Sequence, residues 1–174
     1  LHIHLHAAVA AKNQASRKQI VFSKKKLLNL VSSLEILIKG LKLPDQQTTW
    51  SAYYDEASQR KDYLEQKINL FTGWLDKLTG LATAIDLGAN EGTFSKLSAA
   101  KNIFTIAADT DPVCINNLYK NIRAGNIPLI HPLVIDLANP SPATGVNNNE
   151  RSSFTTRAKA DISYALALVH HLAI

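Results

Sequence analysis

Cysteine occurs once in these 174 residues and methionine not at all. A lone Cys114 excludes an internal disulfide and any multi-cysteine zinc site. Nothing in the chain therefore asks for an oxidising compartment, and a reducing cytoplasm is the expected setting. No run of about 18 apolar residues exists, which excludes a helical membrane span, and the opening residues lack the charged-then-apolar layout of a secretion signal. His2, His4 and His6 alternate there with no acids beside them, so no metal site is expected. A chain that starts at Leu1, holds no methionine and stops at Ile174, where a fourth strand would end, reads as a fragment.

What is present suits a globular domain. Hydrophobic residues make up 46% and charged residues 19%, which excludes a mostly disordered chain and supplies a core of useful size. Charge is lopsided: residues 1–82 hold 12 Lys+Arg against 7 Asp+Glu, whereas residues 83–174 hold 7 of each, so the net +5 lies in the first half. Arg17, Lys18 and the run Lys24, Lys25, Lys26 form its densest part. A solvated helix end is the plain reading of that run, and attraction of RNA or an acidic partner is the alternative.

The first half, residues 1–80, reads as a helical segment that caps the rest or recruits substrate. Leu27, Val31, Leu34, Ile38 and Leu41 line one helical face, with Gly40 and Pro44 marking its end. Leu64, Ile68, Phe71, Leu75 and Leu78 repeat the rhythm, and Gly80 can supply the left-handed residue that closes a helix. Between them lies a polar connector with Trp50, Tyr53 and Tyr54, aromatics that pack it down or, alternatively, cover a ligand. Lys67 on the second helix reads as an exposed lysine, with a reach to a ligand carboxylate as the alternative.

Residues 81–174 change character. Short apolar runs at Leu81 to Leu87, Ile103 to Ala108, Leu129 to Ile135 and Asp161 to Leu168 alternate with helical stretches at Thr93 to Ala100 and Pro112 to Ile122. Runs such as Ile103 to Ala108 are apolar throughout, as parallel strands covered on both faces should be. The expected class is α/β, a Rossmann-like, doubly wound and mostly parallel sheet in the order 3-2-1-4. Pro140 to Arg157, rich in Asn, Ser and Pro, is expected to be a flexible loop.

Asp86-Leu87-Gly88-Ala89-Asn90-Glu91-Gly92 joins the first strand to the first crossover helix, the place where such folds bring backbone up to a nucleotide-like ligand. Gly88 and Gly92 permit close approach, and Asn90 tolerates positive φ. Asp109, 23 residues beyond Asp86, ends the second strand near the offset at which a carboxylate meets ribose hydroxyls, with Thr110 beside it. Asp111 reads as a helix N-cap with Pro112 at the first helical position. Asp136 and Leu137 close the third strand at the same sheet edge. A dinucleotide is disfavoured, because Asn90 and Thr93 stand where glycines belong and Glu91 would face a pyrophosphate. S-adenosylmethionine carries a sulfonium and an ammonium in its place, which an acidic turn accepts.

With these markers in order, residues 84–174 resemble a class I S-adenosylmethionine-dependent methyltransferase, and Asp136 to Pro142 with Ala165 to His171 is most similar to a nodulation-protein-like bacterial branch. The resemblance implies a cofactor site of Asp86, Gly88, Asn90, Gly92, Asp109, Thr110, Asp136 and Leu137. Asp86 and its turn would surround the methionine part, Asp109 the ribose, and Asp136 with Leu137 the adenine. It further implies methyl transfer to an O or N acceptor, a small molecule before RNA. His170 is the candidate general base, since a neutral imidazole accepts a proton near neutral pH; shaping the pocket or starting a helix is the alternative. Cys114 is expected to pack as a small apolar residue. The rival functions are an NAD(P)-dependent oxidoreductase and a non-catalytic module binding RNA or a protein partner.

Overall fold

A computed structural model describes residues 23–42, 48–51, 61–166 and 168–172. They fall into two units, residues 23–42 in one and everything described from residue 48 onward in the other. His2, His4, His6, Arg17, Lys18, Pro44, Tyr53 and Tyr54 lie outside the described residues.

The first unit is helix α1, Lys24–Gly40, matching the apolar periodicity. Ser23 caps it, its hydroxyl accepting from the Lys26 N–H at 3.3 Å. The exposed Lys39–Glu35 pair, one turn apart, contributes little. Among the described residues no helix is long and apolar enough to cross a membrane.

The second unit is built on four parallel strands: β1 Thr83–Leu87, β2 Phe104–Asp109, β3 Ile130–Val134 and β4 Ile162–Tyr164, in the spatial order β3-β2-β1-β4. This is the expected order. The interior of β1 is closed to solvent on both faces, and so is that of β2 apart from half-buried Ile106, as their mostly apolar runs require. Strand pairing aligns Ala84 with Thr105 and Asp86 with Ala107, so these four share one face of the sheet. Helices α2 Lys61–Leu75, α3 Thr93–Ala100 and α4 Pro112–Ala124 pack on it. Phe71 and Leu75 of α2 meet Ala84, Phe94 and Tyr164, while Ile115, Leu118 and Ile122 of α4 meet Ala107 and Ile130. Helix α2 therefore belongs with the sheet. Phe71 holds Phe94 and Tyr164 edge-on at centroid distances of 5.2 and 4.8 Å.

Most element ends shift by one or two residues from the sequence reading, and some features differ by more. Helix α2 stops at Leu75, because the Leu78 N–H turns back to the Leu75 carbonyl at 3.2 Å in a tighter bond, leaving Leu78 half exposed. Gly80 is left-handed, with φ of 76°, but serves the link to β1 instead of the helix end. Strand β4 spans three residues where eight were expected, since it pairs only with Ala84 to Asp86 of β1. The loop from Pro140 carries its own order: an antiparallel bridge between Thr144 and Arg151, a 3-10 turn Val146–Asn148, and the short helix α5 Phe154–Arg157. Buried Phe154 anchors it, its N–H donating to the Ser141 carbonyl at 2.9 Å. A final turn of helix, α6, covers Val169–Leu172.

Asp111 caps α4 as expected, accepting from the N–H groups of Val113 at 2.8 Å and Cys114 at 3.4 Å, with Pro112 at the first position. It also accepts from the Thr48 hydroxyl. Burial by itself would raise its pKa; the bonds from Thr48, Val113 and Cys114 outweigh burial and hold the carboxyl below its ordinary value. An acid with a lowered native pKa adds stability that is present above its unfolded pKa and lost as pH falls through the native one. Asp111→Ala is expected to lower stability at neutral pH by about 1 kcal/mol, read from the urea midpoint. Cys114 behind the cap is fully buried, and burial, with the charges of Asp111 and Asp109, pushes its thiol up to about 12, so it packs and does not react.

Candidate cofactor site

The carboxyl ends of β1, β2 and β3 all open on one side, and each ends in an acid or a turn. After β1 the chain bends sharply: the N–H groups of Gly88 and Ala89 both donate to the Ala108 carbonyl of β2, at 2.8 and 3.0 Å. Gly88, Asn90 and Gly92 all have positive φ, 77°, 50° and 76°. Space at Gly88 is also tight: a Cβ there would stand 3.2 Å from Leu168 Cδ1, so that side chain would have to give by a few tenths of an ångström.

Asn90 fastens three segments together. Its N–H donates to Asp109 Oδ2 at 2.7 Å, its Oδ1 accepts from the Glu91 N–H at 2.7 Å, and its Nδ2 donates to the Trp50 carbonyl at 2.7 Å. The other oxygen of Asp109 accepts from the Asp111 N–H at 2.9 Å. Asp136 accepts from the Ala138 N–H at 2.9 Å in a local turn and stays exposed.

Between these tips lies a cavity of about 210 Å³. Six of the eight expected cofactor residues line it: Gly88, Asn90, Asp109, Thr110, Asp136 and Leu137. Two do not. Asp86 is buried one layer below, accepting a hydrogen bond from the Ser95 hydroxyl at 2.7 Å. Burial pushes its carboxyl up to about 7 and the charge of Asp109 adds to that, while the Ser95 bond and Lys67 oppose it. Gly92 begins α3 and faces Leu118 of α4, so it serves packing. Glu91 is turned to α4, where Asn117 Nδ2 donates to it at 2.8 Å. The acids that line the cavity are therefore Asp109 and Asp136, not the turn's own glutamate.

The cavity wall also holds residues that the sequence reading gave only a secondary role there, together with leucines it did not select. Lys67 is half buried on it, with Nζ 5.2 Å from the centroid of the Phe94 ring, so the reading as an exposed lysine is corrected. Trp50 and His171 meet edge-on at 4.9 Å on the cavity wall, with Leu166 and Leu168. His171 lines the cavity; the expected base, His170, is exposed outside the lining, its ring tilted by 43° to that of His171 at a centroid distance of 3.9 Å. Both belong to α6, which fits the helix-start reading of the pair. Among the described residues no cluster of three or more His, Cys, Asp or Glu is arranged to hold a metal.

A parallel sheet in this order, with three helices on one face and a ligand-sized cavity at the carboxyl tips, defines the class I methyltransferase fold. A crystal structure from Methanococcus maripaludis, designated an S-adenosyl-L-methionine-dependent methyltransferase, shares that fold with a TM-score of 0.52 at 18% identity. The match covers 74% of this chain and 56% of the other. In sequence, the chain is similar to nodulation protein NoeA of Rhizobium meliloti (strain 1021), with 32% identity over 152 residues. That alignment takes in 83% of this chain, which spans 30% of the length of NoeA. No family model matches the chain.

Proposed function

We propose that the cavity binds S-adenosylmethionine and that the protein transfers its methyl group to an O or N acceptor. The observation that carries this reading is the alignment of Asp109 and Asp136 on adjacent strand tips, beside a glycine-and-asparagine turn, in a methyltransferase fold. In this arrangement Asp109 accepts hydrogen bonds from a ribose diol, and Asp136 with Leu137 meets the adenine. Bound there, S-adenosylmethionine supplies an electrophilic methyl group on a positively charged sulfur. The chain's part is alignment, worth several kcal/mol in well-oriented reactions. The acceptor proton goes to solvent or to an imidazole at the cavity, and placement favours His171 over His170.

A small-molecule acceptor suits the walls of Trp50, Leu166 and Leu168. RNA recruitment by Lys24, Lys25 and Lys26 is the second reading, supported only by their charge on the first turn of α1. A cytoplasmic setting goes with this reading, on the sequence argument that a single cysteine, Cys114, asks for no oxidising compartment.

Calorimetric titration with S-adenosylhomocysteine and, in parallel, NADH tests the assignment. S-adenosylhomocysteine is expected to bind with a micromolar Kd and NADH not to bind. Asp109→Asn should weaken the former about 10- to 100-fold, the range of a hydrogen bond to a charged group; it also sets an amide NH2 against one of the two N–H groups that Asp109 accepts from, so the melting temperature is expected to fall and the titration is run well below it. Binding of NADH alone, or of neither, removes the proposal.

A further inference from the structure

We propose that α1 is a surface helix for anionic membranes: its leucine-rich stripe beds into the lipid, Lys24 and Lys26 reach headgroup phosphates on either side, and the rest of the chain is tethered there. This role is independent of what the cavity binds. At 3.6 residues per turn, Leu27, Leu30, Val31, Leu34, Leu37 and Ile38 fall within about 120° of the helix circumference. Lys24 and Lys26 stand about 20° beyond the two edges of that stripe, one on each side. Lys25, Asn29, Ser32 and Ser33 take the side away from it, where Leu28 and Ile36 are the apolar exceptions. Taken by itself the helix buries none of its residues, and Leu27, Val31, Leu37 and Ile38 are each more than half exposed.

Charge selects the occupant. Four lysines stand against one glutamate along α1, a net of +3, and Glu35 is already held by Lys39 at 2.7 Å. Among the described residues the three first-turn lysines have no ion pair. A second copy of the helix also suits the stripe, since Val31 and Ile38 at one heptad position with Leu27 and Leu34 at the other is the pattern of a paired coil. It would set +3 against +3 over about two heptads, too short a coil to absorb the repulsion. RNA would satisfy the lysines but leave the stripe in water, and α1 offers no aromatic ring for bases to stack on. An anionic lipid surface meets both features. The apolar residues enter the acyl boundary while the flexible lysine stems carry their ammonium groups back to the phosphates. A helix of 17 residues with three lysines in its first turn lies on such a surface instead of crossing it, in keeping with the lack of a spanning helix among the described residues.

Vesicle flotation of the whole chain tests this, with pure phosphatidylcholine set against phosphatidylcholine holding about 30% phosphatidylglycerol. The protein is expected to bind the anionic vesicles at least about tenfold more tightly, and less so as salt rises. Lys24→Gln, Lys25→Gln and Lys26→Gln together should weaken that binding about 100-fold, at about fivefold per lysine. Leu34→Ala should weaken it several-fold while keeping a strong helix former in place. Both variants change only α1 and are expected to melt with their parent, so lost flotation is not lost folding. Flotation equal on both vesicles, absent from both, or unmoved by one or both variants overturns the proposal. So does a rival occupant in the absence of flotation: a labelled single-stranded RNA whose binding, read by anisotropy, needs the lysines but not Leu34, or a dimer in sedimentation velocity that Leu34→Ala dissolves.

Discussion

Gly92→Ala is expected to cost about 2–4 kcal/mol of stability, with a corresponding drop in the urea midpoint. Two effects add. Residue 92 holds φ at 76°, which an L side chain adopts only under strain. The new Cβ would also stand 2.6 Å from Leu118 Cδ1, and Leu118 is fully buried between α4 and the sheet, so it has little room to yield. The two contributions separate in a double-mutant cycle. Leu118→Ala alone leaves a cavity costing about 2–5 kcal/mol, but in its presence the steric share of the Gly92→Ala penalty should vanish while the backbone share remains. Strict additivity would show that Leu118 is not what the methyl group meets.

The second large effect concerns pH. Asp86 has a native pKa raised by burial from 3.8 to about 7, so between those values the folded protein binds more protons than the unfolded chain. For an acid, that imbalance makes stability fall as pH rises through the window. At about 1.4 kcal/mol per pKa unit, the loss attributable to this group reaches about 4 kcal/mol once it is fully ionised. Asp86→Asn removes the ionisation yet keeps an oxygen for the Ser95 hydroxyl to donate to. Urea denaturation of both proteins near pH 5 and near pH 8 should show the variant gaining on its parent by a few kcal/mol at the higher pH. Two parallel pH profiles would mean that Asp86 does not titrate in this range. The same network ends in Tyr164, whose hydroxyl bonds Ser98 at 2.9 Å and whose pKa is likewise raised by burial, so it stays neutral across the experiment.

Much of the fold was legible because its signals are local. Mostly apolar runs at Ile85 and Ile106, a turn of Gly88, Asn90 and Gly92, and an Asp111-Pro112 cap each declare themselves within a few residues, and the crossover rule then orders the strands. The strand-tip residues Asp109 and Asp136 were legible for the same reason. What stayed hidden depends on approach across the chain. Trp50 reaches the cavity because its carbonyl meets the side chain of a residue 40 positions away, and nothing in its polar neighbourhood announces that. Lys67 sits on a helix whose apolar face is obvious, but whether a flanking lysine points to water or over Phe94 is set by where α3 begins. The choice between His170 and His171 is one residue of helical phase in a four-residue helix, finer than periodicity resolves. Glu91 misled the charge argument because its bond to Asn117 of α4 forms only once two helices are side by side.

The two backbone N–H groups on Asp109, one to each oxygen, have a thermodynamic consequence for whatever diol enters the cavity. A free carboxylate would have to surrender rotamer freedom as it gripped a sugar, and that loss would be subtracted from the affinity. Here the rotamer is frozen by folding, and each oxygen retains lone-pair capacity for a hydroxyl. The entropic debit falls on the folding equilibrium instead of on association, so recognition at this strand tip begins from a preorganised acceptor.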